Sequence, residues 1–183
     1  METAELEKAL IENLQEKTAK ESGKSSQLSV IKSMYRKKDT KRFSGFSEYA
    51  GNYVFSDNHR MFICKNDLGF EELKSPLNVK PYIEYDLSNA EKLEIDINDV
   101  KKFIASTKGV KNATYIFYSA AGKRCGANPQ YILDAVKFSG SNIFYCNIKT
   151  SLTNDCNIKP YVQINPDGSI NNLCLPVSLP KIT

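Results

Sequence analysis

The chain has 183 residues, 41% of them hydrophobic and 25% charged, a globular composition that can bury a core without disulfide or metal staples and is too apolar for disorder throughout. The net charge of +4 is mild, and no apolar run approaches the roughly 20 residues that cross a bilayer. The acidic start METAELEKALIENLQEK lacks the basic segment and apolar stretch of an export signal, so the expectation is a soluble cytoplasmic protein with no membrane partner.

The five cysteines, Cys64, Cys125, Cys146, Cys156 and Cys174, are odd in number and lack CxxC spacing. They read as reduced, buried, small apolar residues rather than disulfides or zinc ligands. Charge is unevenly spread. Residues 1–21 hold six acids against three bases, whereas Lys32, Arg36, Lys37, Lys38, Lys41 and Arg42 cluster with Asp39 as the one acid among them. Such a run either holds phosphates or is a solvated loop.

In chain order, Leu6, Leu10 and Leu14 predict an amphipathic helix over 3–21, ended by Gly23 and the serines after it. Residues 22–42 read as a polar, basic loop in which Leu28, Val30 and Ile31 suit a short strand. Residues 43–65 turn aromatic and β-branched, with Gly51-Asn52 as a hairpin turn. Residues 66–80, with Gly69 and Pro76, read as a connector. This predicts a first half over 1–70, a connector over 71–90 and a second half over 91–183.

The second part predicts strands near 82–85 and 93–97, then a helix capped by Asn98 with Val100, Phe103 and Ile104 on one face, closed by Gly109. A strand at 114–118 follows, then a helix capped by Asn128 with Pro129 in its first turn, burying Ile132, Leu133 and Val136 and closed by Gly140. Three antiparallel strands are expected near 143–148, 159–164 and 172–177, the last two joined by Asn165-Pro166-Asp167-Gly168. The helix, glycine, strand unit thus occurs twice, a weak internal repeat.

Catalytic motifs are sparse. His59 is the single histidine, and Cys64, five residues along one strand region, points to the opposite face. A sequence-distant cysteine stays open as its partner in a thiol enzyme. Gly122-Lys123-Arg124-Cys125-Gly126 lacks the order of a nucleotide loop. Asp57, Asp67, Asp86, Asp96, Asp99 and Asp134 mostly suit turns and helix starts, with no carboxylate pair standing out.

Two stretches carry more. Ser56-Asp57-Asn58-His59-Arg60-Met61 resembles the Thr-Asp-Gly-His-Arg-Leu turn of bacterial DNA-polymerase sliding clamps, with Asn58 where a turn needs φ > 0. Asn128-Pro129-Gln130-Tyr131-Ile132-Leu133-Asp134-Ala135-Val136 resembles the last helix of those clamps, and Leu175-Pro176-Val177-Ser178-Leu179 their Met-Pro-Met-Arg-Leu finish. The resemblance is detailed over 46–64 and 125–179.

It implies an α+β sliding-clamp fold: a curved antiparallel sheet with helices on one face, built from two βαβββ-like halves. It implies a non-enzymatic replication processivity factor or clamp-like adaptor, without cofactor, of phage or prophage type given its short length. Ser56, Asn58, His59, Arg60 and Met61 would face Leu175, Pro176, Val177 and Ser178 across a pocket for hydrophobic peptides of polymerase-type partners. Duplex DNA would be held without base readout by Lys101, Lys102, Lys108, Lys123, Arg124 and Lys137, several copies being needed to close a ring. The alternative is a small nucleic-acid-binding protein using 32–42, with Lys37, Lys38, Lys41 and Arg42 at its centre.

Overall fold

The computed structural model describes residues 22–36, 44–84, 86–120, 122, 124–147 and 160–176. The helix expected over 3–21, the basic residues Lys37, Lys38, Lys41 and Arg42, and Lys123, Cys156, Val177 and Ser178 lie outside them. Residues 22–34 are helical (α1) rather than the expected loop or strand. Gln27, Val30, Ile31 and Met34 follow i, i+3, i+4, i+7 spacing, and the last three are buried, while Lys24, Ser25, Ser29, Lys32 and Ser33 take the exposed positions. The helical stripe outweighs the low propensity of the serines between.

The chain then forms β1 (Ser47–Tyr49), β2 (Asn52–Ser56) and β3 (Arg60–Cys64). The β1–β2 turn falls one residue earlier than predicted, on Ala50 and Gly51, with φ of 51° and 73°. Two successive positive φ values make the turn whose twist suits a two-residue hairpin. In place of the strand expected near 82–85 stands a short helix, α2 (Lys80–Ile83). Pro81 fits a first helical turn, where its missing N–H costs no bond.

The remaining elements are β4 (Glu91–Glu94), α3 (Ile97–Ser106), β5 (Tyr115–Tyr118), β6 (Arg124–Ala127), α4 (Pro129–Ser139), β7 (Ile143–Cys146), β8 (Tyr161–Ile164) and β9 (Ile170–Cys174). Asp96, not Asn98, caps α3, its side chain accepting from the N–H groups of Asn98 and Asp99. Asn128 caps α4 with Pro129 behind it, and Gly140 ends it in the left-handed conformation at φ 77°, as the sequence leads one to expect. The Gly122–Gly126 segment, read only for phosphate chemistry, contributes β6 and pairs with β5 as a two-stranded ribbon. On β5, Ile116 and Tyr118 are exposed, whereas Tyr115 and Phe117 pack inward.

Seven strands form one antiparallel sheet in the order β1-β2-β3-β9-β8-β7-β4. The protein is therefore mixed α+β with a large antiparallel sheet. Around the β3/β9 seam the order is palindromic: β1-β2-β3 follow α1 in the chain, and β7-β8-β9 follow α4. The helix, glycine, strand units at α3–β5 and α4–β7 exist, but they are not what the sheet repeats. The larger unit is a helix followed by three strands.

Strand alternation gives the sheet two buried faces. Phe55, Phe62, Cys64, Phe144, Tyr161 and Cys174 meet α1, α3 and α4 in the main core. Val54, Met61, Ile63, Val162 and Leu173 form a second cluster under Val79, Leu77, Ile83 and Leu87. The segment expected to be a connector is thus a cover for the face opposite the three long helices, and apolar burial holds it there. Burying one such side chain is worth about 1.5–3 kcal/mol.

Candidate functional site

The β2–β3 turn is held by its own side chains. Asp57 Oδ1 accepts from the N–H groups of His59 (3.1 Å) and Arg60 (3.0 Å), and the Ser56 hydroxyl donates to the Arg60 carbonyl at 3.1 Å. Asn58 sits at φ 71°, the left-handed conformation that Asn tolerates better than most residues. The Leu175 N–H donates to the His59 carbonyl at 2.8 Å, so the turn is also tied to the chain leaving β9.

Arg60 anchors the turn to α4. Its Nε donates to Asp57 Oδ2 at 2.9 Å, its Nη1 pairs with Asp134 Oδ2, and its guanidinium lies 4.4 Å from the centre of the Tyr131 ring. Gln130 donates to the other Asp134 oxygen at 2.9 Å. The side chains of Arg60, Asp57 and Asp134 are 6%, 3% and 9% exposed. Asp134 is therefore neither a turn nor a cap residue: it is half of a buried carboxylate pair sharing one guanidinium, which the sequence did not disclose. His59 stacks on Tyr131 at 6.0 Å with 27° between the planes. Burial, then the Asp57 charge, holds the Tyr131 phenol above its ordinary pKa.

On the other face of the sheet, beside the same turn, lies a cavity of about 220 Å³. Met61, Leu173 and Leu175 give it apolar walls from β3, β9 and the exit of β9. Ser56, Asn58, His59 and Arg60 border it from the turn, and Leu77, Asn78, Val79 and Tyr82 close it from the covering segment. The structure thus brings together Ser56, Asn58, His59, Arg60, Met61 and Leu175. Pro176 is half-buried and does not line the cavity. The contribution of Leu77–Tyr82 was hidden because those residues read as a connector; the i, i+2 spacing of Leu77 and Val79 was the available signal. Arg60 is engaged by two carboxylates, and Tyr82, 44% exposed, is the exposed large apolar side chain of the lining.

The basic residues divide. Lys101, Lys102 and Lys108 are exposed on or just after α3. Lys101 joins Arg36 of the α1 end and Lys137 of α4 around a groove of about 560 Å³ floored by Val30, Ile97, Leu133 and Val136. The Lys137 ammonium donates to the Ser29 hydroxyl at 2.8 Å, and among the described residues none of the three cations pairs with a carboxylate. Lys102 and Lys108 do not border the groove, and Arg124 opens β6. Arg36, part of the basic run but not singled out for contact, is the member of that run that the fold brings to Lys101 and Lys137.

The four described cysteines are buried. Burial pushes the Cys64 thiol up to about 11 and the Cys174 thiol up to about 12, so both are protonated at neutral pH. Among the described residues no cluster of three or more His, Cys, Asp or Glu side chains could hold a metal ion, and no helix is long and apolar enough to cross a membrane. Comparison with protein-family models, with curated proteins and with solved structures finds no match.

Proposed function

We propose that this protein is a sliding-clamp-like binding module that receives a short hydrophobic peptide in the cavity beside the His59-Arg60 turn. The observation that carries the reading is the cavity itself: apolar walls at Met61, Leu173, Leu175, Val79 and Leu77 under a polar rim of Asn58, His59 and Asn78. At about 220 Å³ it is smaller than a drug-sized pocket of roughly 300–1,000 Å³ and suits one large apolar anchor of an extended peptide. The resemblance of Ser56–Met61 and Leu175–Leu179 to the clamp motifs names the client class, polymerase-type partners. The palindromic sheet, with a helix before each run of three strands, supports the finer fold reading of two βαβββ-like halves. The role is non-enzymatic and needs no cofactor.

A fluorescent peptide with adjacent Leu and Phe anchors should bind with a Kd of tens of micromolar or tighter, and both Tyr82→Ala and Met61→Glu should weaken it at least about tenfold. Tyr82 is exposed, so its variant keeps the test valid if Met61→Glu disturbs folding. No binding at tens of micromolar removes the peptide reading.

A second reading has its own observation, the convergence of Arg36, Lys101 and Lys137 around one groove, none of them ion-paired among the described residues. It is contact with the phosphates of duplex DNA without base readout, which serves either a clamp or a simple nucleic-acid binder. Lys101→Gln and Lys137→Gln should each weaken DNA binding and lower the salt slope by about 0.9. The mass of the protein in solution separates a ring of several copies from a monomeric adaptor.

A further inference from the structure

The groove between α1, α3 and α4 combines an apolar floor with a basic rim. Ile97, Leu133 and Val136 on the floor are half-buried, so each keeps apolar surface in water. On α3 and on α4 a base stands one helical turn beyond a floor residue, Lys101 after Ile97 and Lys137 after Leu133, which places each pair on one face. Arg36 joins them from the end of α1, and all three cations are exposed. The one acid of the lining, Asp134, is buried and engaged by Arg60 and Gln130, so it does not answer these cations. Lys137 donates to the neutral Ser29 hydroxyl, which a carboxylate can replace without stranding a charge.

Rim and floor ask for different chemistry in one ligand. Exposed cations attract any anion, whereas the floor gains only by leaving water. A duplex presents phosphate and sugar on its outside, which would serve the rim and leave Ile97, Leu133 and Val136 without an apolar partner. A helix with an apolar stripe flanked by acids serves both, by the helix-in-groove mode of recognition.

We propose that this groove docks an acidic amphipathic helix of a partner protein, its apolar stripe on Ile97, Leu133 and Val136 and its carboxylates at Arg36, Lys101 and Lys137. The site is separate from the cavity beside the β2–β3 turn, and the proposal goes beyond the phosphate reading of the same cations.

The probe is a fluorescent helical peptide of about 15 residues, with Leu at every third or fourth position and Glu beside them, titrated into the full chain. A Kd on the order of tens of micromolar is expected. Lys101→Glu with Lys137→Glu, both at exposed positions, should weaken it at least about tenfold, and a peptide with Lys in place of Glu should bind that double variant better than the unaltered chain. Replacing the peptide's Leu by Ser with its charges kept should also cost at least about tenfold. No binding of the probe overturns the proposal. Equal binding of the Leu and Ser peptides also overturns it, because the groove then reads charge alone, and leaves the phosphate reading standing. Displacement by excess unlabelled Leu-Phe peptide would put the probe in the cavity and overturn it as well. So would a dimer in sedimentation that the double variant makes monomeric, since a second copy of the chain then fills the groove.

Discussion

Replacing Arg60 by Met keeps the aliphatic stem and strips the guanidinium from between Asp57 and Asp134, whose side chains are only 3% and 9% exposed. Removing one partner from a buried ion pair typically costs about 3–5 kcal/mol, because the other is left charged and dry. Two features place this case near the lower end. Asp57 keeps the N–H groups of His59 and residue 60, and Asp134 keeps the Gln130 amide. The expected loss is therefore about 3 kcal/mol at pH 7.5, a large part of the roughly 5–15 kcal/mol that holds a domain together. Urea unfolding followed by circular dichroism measures it.

Adding Asp134→Asn to Arg60→Met should recover about half of the loss at pH 7.5 by removing one stranded charge. A deficit below about 1 kcal/mol, or a double variant no better than the single one, would refute the view that Arg60 neutralises a buried carboxylate pair.

Two further outcomes follow from the backbone and the core. Ala50 holds φ 51°, where a side chain costs roughly 1–2 kcal/mol, whereas glycine loses about 0.5–1 kcal/mol of unfolded-state freedom. Ala50→Gly should therefore raise Tm by a few degrees in differential scanning calorimetry, and a fall in Tm would contradict the turn assignment. The Cys64 and Cys174 thiols are raised by burial to about 11 and about 12. Their contribution is complete below pH 9 and is lost as pH rises towards 11, because the unfolded thiols ionise first; each costs about 1.4 kcal/mol per pH unit in that range. Unfolding free energies that stay flat between pH 9 and 10.5 would show that these thiols are not dry.

Much of the second half was legible because its signals are local. Asn128-Pro129 and Gly140 fix the ends of α4 by capping chemistry that needs no distant partner. Asn165–Gly168 turns β8 into β9, and the 143–174 meander forms as the alternation predicts. Residues 22–34 were misread because serines and lysines masked a four-position stripe whose value lies in the core it meets. Residues 82–85, with their two tyrosines, read as strand, but Val79 and Ile83 are placed by the sheet face beneath them.

At the site, the turn residues and Leu175 were readable from a motif, whereas Leu77–Tyr82 and Leu173 join them only in three dimensions. Asp134 looked like one more polar helix position; its partner lies 74 residues away. Arg36 was visible as a base but not as a neighbour of Lys101 and Lys137. Such pairings are decided by tertiary packing, not by local pattern.

The place of β9 in the sheet bears on synthesis. It is the last described strand in the sequence, yet it sits at the middle, between β3 and β8. As the chain emerges from the ribosome, the β1–β2–β3 meander can form early, but β3 presents an open edge until residues 170–174 arrive. A ribosome stalled a few residues short of that strand would hold a nascent chain in which β1–β2–β3 and the β7–β8 pair lack the strand that joins them, leaving the β3 edge for a chaperone to shield.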